Sequence, residues 1–276
     1  MWRFPRALST LSQVPVRNRT TKTKHMDVFM KKTPINPSVL DKAASVNSPM
    51  CLFSPEQIAG PYFKNDRLER FDITEGAAGV PLQLNLKVLH ACTGEPVEGV
   101  LVDVWHCNAQ GRYSGWSAVD PDQEAPSGEI GAIARTDEDT YLRGCGFTDR
   151  HGRREFLTIF PGFYAGRAIH VHVAVRKVLE HDHDRHVAYV GQLYFPELIS
   201  SQINELPDYA GRKISRLTNA KDEIYSEMDG YGTLMDVGWI NRGSKDERLL
   251  ASAVIGIDPE AFSQHIKPED FDKSTV

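Results

Sequence analysis

Two histidines, His170 and His172, lie within an alternating apolar segment and carry the strongest chemical signal in this 276-residue chain. Side chains two positions apart on a β-strand point to the same face, so both imidazoles project together while Ile169, Val171 and Val173 pack on the opposite face. Buried neutral imidazoles need a partner for each ring nitrogen, and one cation satisfies a nitrogen of each ring at once. The pair therefore predicts a metal site.

Carboxylates are missing from the positions where common two-histidine metal sites place them. A cupin has a glutamate four or five residues after its second histidine, where this chain has Arg176 and Lys177. A facial-triad iron site uses two histidines and one carboxylate, but the only histidine with an acidic residue two positions later is His25, in the N-terminal segment. A zinc hydrolase built on the histidine pair stays an alternative, although no carboxylate base is evident.

Two tyrosines stand where further ligands would be useful. Tyr164 precedes His170 across a turn containing Gly166, which would let the chain fold the phenol back toward the strand. Tyr113 closes a strand-to-loop segment that begins at Trp105, and loops at strand ends commonly carry functional residues. For either tyrosine alone, a half-buried ring with a hydrogen-bonded hydroxyl is the commoner interpretation.

Alternation and turn signals predict the fold. Residues 81–91 and 97–105 alternate around a turn at residues 93–96, which predicts a β-hairpin. Few helices fit between the other apolar segments, so we expect an all-β protein, an antiparallel β-sandwich core with long irregular loops and few short helices. The other predicted strands cover residues 155–159, 169–176, 187–194 and 251–257.

Composition bounds the domains and partners. The chain has 41% hydrophobic and 25% charged residues and a net charge of −5, which is typical of a globular protein and unsuited to nucleic acid. No stretch approaches the roughly 18 apolar residues needed to span a membrane. We expect a flexible extension over residues 1–50, a sandwich domain over 51–260 and a tail over 261–276. The basic N-terminus resembles a mitochondrial transit peptide, but we favour a disordered tail and a cytoplasmic location.

The four cysteines, Cys51, Cys92, Cys107 and Cys145, show no CxxC spacing. Cys92 and Cys107 flank the predicted hairpin turn and could face each other, but a reducing cytosol opposes a bridge, so we expect free thiols. The histidine-rich stretch 181–186 alternates charges and has no apolar neighbours, which predicts a solvated loop rather than a metal site.

Several ordered motifs together resemble the intradiol ring-cleavage dioxygenases, the ferric enzymes that include catechol, protocatechuate and hydroxyquinol dioxygenases. The resemblance covers most of residues 54–258. The short spacing from Tyr164 to His170 is most similar to the fungal single-chain branch, whose other members are often secreted. The motifs that carry the resemblance are Ser54–Tyr62, Asp103–Gly115, Leu142–Gly144, Thr158–Tyr164, Gly166–His172, Gly191–Phe195 and Thr218–Asp222.

The resemblance implies one non-haem Fe(III) per chain, held by Tyr113, Tyr164, His170 and His172. The field of a trivalent cation can ionise phenols whose free pKa is near 10. Two tyrosinates and two neutral imidazoles would then leave one formal positive charge. The implied reaction uses O2 to cleave a catecholic ring between its two hydroxylated carbons, which gives a cis,cis-muconate-type product.

The resemblance also implies roles around the substrate. Arg167 would stabilise negative charge on the ring, Gln192 would be a polar partner, and Gly60, Pro61 and Tyr62 would line the entrance. The implied partners are a catechol and O2, with no nucleic acid and no membrane, and a homodimer is compatible with the sequence. The alternatives are the zinc hydrolase and a sandwich-type binding module without catalytic activity.

Overall fold

The computed structural model describes residues 50–125, 127–178 and 186–273. Its strands are β1 Pro81–His90, β2 Leu101–Trp105, β3 Arg143–Phe147, β4 Arg153–Ile159, β5 His170–Lys177, β6 His186–Tyr194, β7 Asp236–Ile240 and β8 Arg248–Ile257. They form two four-stranded sheets, sheet I with the order β4-β1-β8-β7 and sheet II with the order β3-β2-β5-β6. The four strands predicted after residue 150 are therefore confirmed.

Helical structure is short, as expected. The helices are α1 Glu197–Asn204, α2 Glu223–Glu227 and α3 Asp270–Lys273, with single 3-10 turns at Asn219–Lys221 and Gly230–Thr233. None of the helices in the described ranges is long and apolar enough to cross a membrane. The extension predicted over residues 1–50 lies outside the described residues except for Met50.

Beyond its turn, where Leu89 and Pro96 form an antiparallel bridge, the predicted hairpin between β1 and β2 is wrong. β1 pairs with β4 and β8 in sheet I, whereas β2 pairs with β3 and β5 in sheet II. Alternation identifies which face of a strand is buried but not which strand bonds to its edge, and the connection over residues 91–100 crosses between the sheets. Sheet I is also mixed rather than antiparallel, because β1 and β8 run parallel.

Apolar side chains from both sheets form one core. Alternate residues of β1, among them Leu82 and Leu84, share this cluster with Val171 and Val173 of β5. Two sheets that bury their facing sides against each other make a sandwich-like arrangement. Each fully buried aliphatic side chain contributes roughly 1.5–3 kcal/mol to the free energy of unfolding. This cluster therefore holds β5 with its apolar face inward.

The outer face of sheet II is covered by loops. A second cluster of buried side chains lies there, including Tyr62, Phe63 and Trp105. Residues beyond 260 contribute to it as well, since Ile266 and Phe271 are buried in the same cluster. The side of β5 that carries the two histidines is thus enclosed by chain segments from both ends of the domain.

The expectation of free thiols is wrong for two of the four cysteines. Cys51 and Cys92 form a disulfide, while Cys107 and Cys145 are free and buried. The Leu52 amide donates to the Ala91 carbonyl at 2.8 Å, which brings Cys51 beside Cys92. Cys107 follows β2 in the other sheet, so the pairing considered between Cys92 and Cys107 is excluded by the topology.

Candidate active site

The two histidines face each other at the start of β5. Their Nε2 atoms lie 3.1 Å apart. His170 Nδ1 lies 2.7 Å from the Ala168 carbonyl, so this nitrogen carries the proton and Nε2 presents its lone pair. Within the described part of the chain, His172 Nδ1 is buried without a hydrogen-bond partner. A proton or a cation must therefore lie between the two Nε2 atoms.

Both predicted tyrosines reach the same point. The turn at Gly166, where φ is +75°, folds the Tyr164 hydroxyl to 3.2 Å from His170 Nε2. The Tyr113 ring lies 5.6 Å from the Tyr164 ring and 6.2 Å from the His172 ring. Its hydroxyl is buried with no hydrogen-bond partner among the described residues. The structure thus brings all four predicted ligand residues together.

Burial sets the charge state of these groups. Burial, and then the Arg167 charge, hold the pKa of His170 well below its usual value. The pKa of His172 is lowered in the same way by burial and by His170. Burial, and then the neighbouring Tyr164, raise the pKa of Tyr113 well above its usual value. Without a cation these side chains are neutral, with unshared lone pairs converging in a buried space.

The donor set fits a hard metal ion. Donors that bind one ion at about 2.1 Å lie about 3 Å apart. The observed separations of 3.1 Å between the imidazole nitrogens and 3.2 Å from the Tyr164 oxygen to His170 match this spacing. Among the described residues, no group of three or more His, Cys, Asp or Glu is placed so that it could hold a metal ion. The zinc hydrolase alternative therefore lacks the third ligand that a catalytic zinc site takes from such residues.

Aromatic rings enclose the histidines and tyrosines. Trp105 is register-paired with His172 across β2 and β5, and their rings stack at 4.9 Å with an interplanar angle of 3°. Tyr62 stacks on Tyr113 at 4.4 Å. Gly60, with φ at +76°, lies so close to His172 that an added β-carbon would be 3.3 Å from Cε1. Gly60 and Tyr62, predicted to line the entrance, thus pack directly on two predicted ligand residues.

Arg143 connects two segments that pack around Tyr113. It donates to the Tyr62 carbonyl at 2.8 Å and to the Ser114 carbonyl at 2.8 Å, which joins the segment carrying Tyr62 to the loop carrying Tyr113. Burial lowers its pKa to about 10. The sequence interpretation missed this role, although Arg143 lies in one of the motifs that carried the resemblance.

Arg167 reaches the same centre from the Gly166 turn. Its Nη1 lies 3.5 Å from the Tyr164 hydroxyl, and its Nε lies 3.0 Å from the fully buried Asp222 carboxylate. Its Nη2 donates to Gln192 Oε1 and to the Tyr194 hydroxyl. Although burial lowers it, the pKa of Arg167 is raised above its usual value by Tyr164, Tyr194 and Asp222. The guanidinium is therefore permanently charged and held by several partners.

Gln192 lies beside Arg167 and the segment that carries Ile58. Its side-chain amide donates to the Ile58 carbonyl at 2.8 Å, and its oxygen accepts from Arg167 and, at 3.0 Å, from Tyr194. It therefore contacts Arg167 directly. Asp222 and Tyr194 were not predicted, because residues more than twenty positions away carry no spacing signal toward Arg167.

A cavity of about 260 Å³ opens beside this centre. Tyr164 and Arg167 lie along it, and Ile58, Pro61 and Ile224 form apolar walls. Its volume is near the lower end of the roughly 300–1,000 Å³ common for small-molecule sites. The space suits a molecule built on a single ring.

Comparison with known proteins agrees with this site. The family model Dioxygenase_C, described as "Dioxygenase", matches residues 52–203. The chain belongs to the intradiol ring-cleavage dioxygenases. The chain is similar to an intradiol ring-cleavage dioxygenase from Tetranychus urticae, with 27% identity, a TM-score of 0.66, and 78% of this chain and 98% of that chain covered.

A second solved structure is similar to this intradiol dioxygenase. It is the dioxygenase domain of a dioxygenase–carbohydrate-binding fusion from Streptomyces sp. SirexAA-E, with 26% identity, a TM-score of 0.50, and 75% of this chain and 98% of that chain covered. No curated protein matches the chain. The family generally uses non-haem Fe(III), binds catecholic substrates and O2, and serves aromatic catabolism. The protein is therefore an enzyme, and the non-catalytic binding module is set aside.

Proposed function

We propose that this intradiol dioxygenase uses O2 to cleave a catechol between its two hydroxylated carbons, which gives a cis,cis-muconate-type acid. One Fe(III) would be held by Tyr113, Tyr164, His170 and His172. The observation that carries the proposal is the convergence of donor atoms, with Nε2 of His170 lying 3.1 Å from Nε2 of His172 and 3.2 Å from the Tyr164 hydroxyl. When bound, the ferric ion supplies the coupling between an electron-rich catecholate and O2.

The two tyrosines balance the charge of the centre. Buried neutral phenols are acidic enough to ionise only beside a strong cation. Loss of the Tyr113 and Tyr164 protons places two negative charges against a trivalent ion, while His170 and His172 bind without adding charge. Burial of the centre is less costly once most of that charge is cancelled.

Tyr164 is the residue best placed to move a proton. It lines the cavity, and its hydroxyl lies 3.2 Å from His170 Nε2, so this residue borders both the cavity and the donor set. A catechol enters with two phenolic protons, and the Tyr164 oxygen can accept one of them as the substrate binds. Tyr113 lies deeper, with its hydroxyl fully enclosed, and stays a ligand.

Arg167 stabilises the anion that this proton transfer creates. Arg167 lines the cavity, and its guanidinium lies 3.5 Å from the Tyr164 hydroxyl. Asp222 and Gln192 hold it in place, so it needs no reorganisation when charge develops on the ring. Gln192 is thus proposed to position Arg167 rather than to contact the substrate.

Iron-reconstituted protein tests the proposal. Mixed with catechol and isotopically labelled O2, it should consume one O2 per ring and release a dicarboxylic acid that carries both labelled oxygen atoms. Tyr113→Phe should lose the share of the ferric-tyrosinate absorption that Tyr113 supplies, keep the share from Tyr164, and lose most of the activity. Tyr231→Phe, at a position that is 77% exposed, is the matched control. An aldehyde product, or full activity in Tyr113→Phe, would overturn the assignment.

A further inference from the structure

We propose that the cavity selects catechols whose ring substituent carries a positive charge, such as an alkylammonium group, and that Glu124 and Glu223 make this selection. The inference rests on the proposed function, because it takes the two catechol hydroxyls to face Tyr164 and Arg167. It adds the chemical class of the substituent on the other side of the ring.

The two ends of the cavity differ in burial and charge. Tyr164 is 8% exposed and the Arg167 side chain is 15% exposed, so they form the enclosed end. Glu124 and Glu223 line the same cavity but are exposed, so they lie at its mouth. A ring whose hydroxyls occupy the enclosed end directs its opposite substituent toward these carboxylates.

Both carboxylates are tied to the turn that carries Tyr164 and Arg167. The Ala165 amide donates to the Pro121 carbonyl at 2.8 Å, which fixes the loop before Glu124. An added β-carbon at Gly166 would be 3.6 Å from Glu124 Oε1, so this carboxylate lies directly over the turn.

Glu223 is fixed from the other side of the cavity mouth. It is the first residue of α2 and follows Asp222, whose carboxylate accepts from the Ala168 amide at 2.7 Å and binds Arg167. The backbone that carries both acidic residues is therefore held beside the cavity.

The charges at the two ends do not cancel each other. Asp222 already balances Arg167 at the enclosed end. Over the described residues, Glu124 and Glu223 form no ion pair, and the walls formed by Ile58 and Ile224 are uncharged. An ammonium group at the mouth is attracted and a carboxylate is repelled, and this effect is screened by salt over about 10 Å.

Three catechols substituted at the same ring carbon measure this preference. Ethylcatechol is neutral, aminoethylcatechol is cationic and carboxyethylcatechol is anionic. In the iron-loaded protein at low salt, kcat/KM for aminoethylcatechol should exceed that for carboxyethylcatechol by about 10-fold or more. Calorimetry without O2 should give the same order of affinities, and the difference should shrink as the salt concentration rises.

Charge-neutralising variants assign the preference to the two carboxylates. The double variant Glu124→Gln/Glu223→Gln should bring the ratio of kcat/KM for the cationic and anionic catechols to within about 3-fold. Glu129→Gln and Glu227→Gln are the matched controls, since both positions are exposed and lie on the same loop and helix. They should keep the wild-type ratio.

The outcomes separate the two proposals. Turnover of ethylcatechol without any preference for the cation, or a preference that survives in the double variant, overturns the inference and leaves the proposed function standing. No turnover of any of the three catechols overturns the proposed function. In that case the affinities measured without O2 still decide the inference, which holds only if the cationic catechol binds more tightly and the double variant removes the difference.

Discussion

Gly60 lies against the imidazole of His172, so closely that a β-carbon at position 60 would be 3.3 Å from Cε1. Its φ of +76° adds a second restriction, because L side chains rarely adopt this region. Glycine at position 60 therefore permits the backbone turn and also leaves room for the ring of the proposed ligand His172.

The variant Gly60→Ala separates these two effects when it is compared with Gly94→Ala. Gly94 has φ at +73° with nothing within 4 Å of an added β-carbon, so both variants should lose about 1–2 kcal/mol of unfolding free energy from backbone strain. Only Gly60→Ala should displace His172, which we expect to reduce bound iron below one ion per chain. Urea unfolding and metal analysis check the two outcomes. Equal iron content in both variants would contradict the role given to Gly60.

Asp222→Asn tests how Arg167 is positioned. The substitution keeps the size of the side chain but removes the charge that faces the guanidinium at 3.0 Å, so Arg167 should shift from the cavity. A displacement of about 1 Å can lower the rate by about 100-fold, and we expect kcat to fall more than KM rises.

An ion pair outside the site provides the control for that measurement. Glu197 pairs with Arg216 at 2.7 Å and does not line the cavity, so Glu197→Gln should keep kcat near the wild-type value. Thermal unfolding of both variants checks that the folded fraction is equal during the assay. A kcat for Asp222→Asn that equals wild type would show that Asp222 does not position Arg167 and serves only the backbone, through the Ala168 and Tyr225 amides.

The sequence predicted the site better than the fold around it. His170 and His172 were recognisable because a strand has a fixed period of two, and Tyr164 because a glycine turn links it to the strand. The same alternation located β1 and β5 but could not tell that β1 bonds to β4 and β8. Strand pairing depends on distant segments, and no local pattern records it.

Two strands and one partner of Arg167 carried too little local signal to be found. β3 has the sequence RGCGF, in which two glycines interrupt any apolar alternation, and β7 has the sequence DVGWI. Asp222 was visible only as part of a family-like motif. Its contact with Arg167 depends on how the 195–235 segment returns over sheet II, which is set by packing rather than by spacing.

The Cys51–Cys92 disulfide predicts a defined thiol count. Under denaturing conditions without reductant, two thiols should react, from Cys107 and Cys145, and all four should react after reduction. Four reactive thiols before reduction would contradict the bridge. Disulfides persist mainly in oxidising compartments, and the cytoplasm keeps cysteines reduced. The thiol count in protein taken from its native source therefore also tests the predicted cytoplasmic location.

His106 gives the unfolding free energy a defined dependence on pH. Its ring nitrogens lie 2.8 Å from the Cys107 carbonyl and 2.7 Å from the Thr158 hydroxyl, and burial lowers its pKa from 6.5 to about 4. As pH falls through 6.5, the unfolded chain binds a proton that the native state does not bind. Stability is therefore lost between about pH 6.5 and 4, and this group alone accounts for about 3 kcal/mol of the loss.

The variant His106→Gln isolates this contribution. His170 and His172 also have lowered pKa values, so in metal-free protein they too reduce the unfolding free energy as the pH falls. The slope of unfolding free energy against pH must therefore be compared between the variant and wild type. Urea unfolding of the metal-free protein from pH 7 to pH 4 should show a slope in His106→Gln that is smaller by up to one proton. The exposed His151 offers the control, since His151→Gln should keep the wild-type slope. An unchanged slope in His106→Gln would mean that His106 is protonated in the native state, and its two hydrogen bonds would then have to be reassigned with both nitrogens as donors.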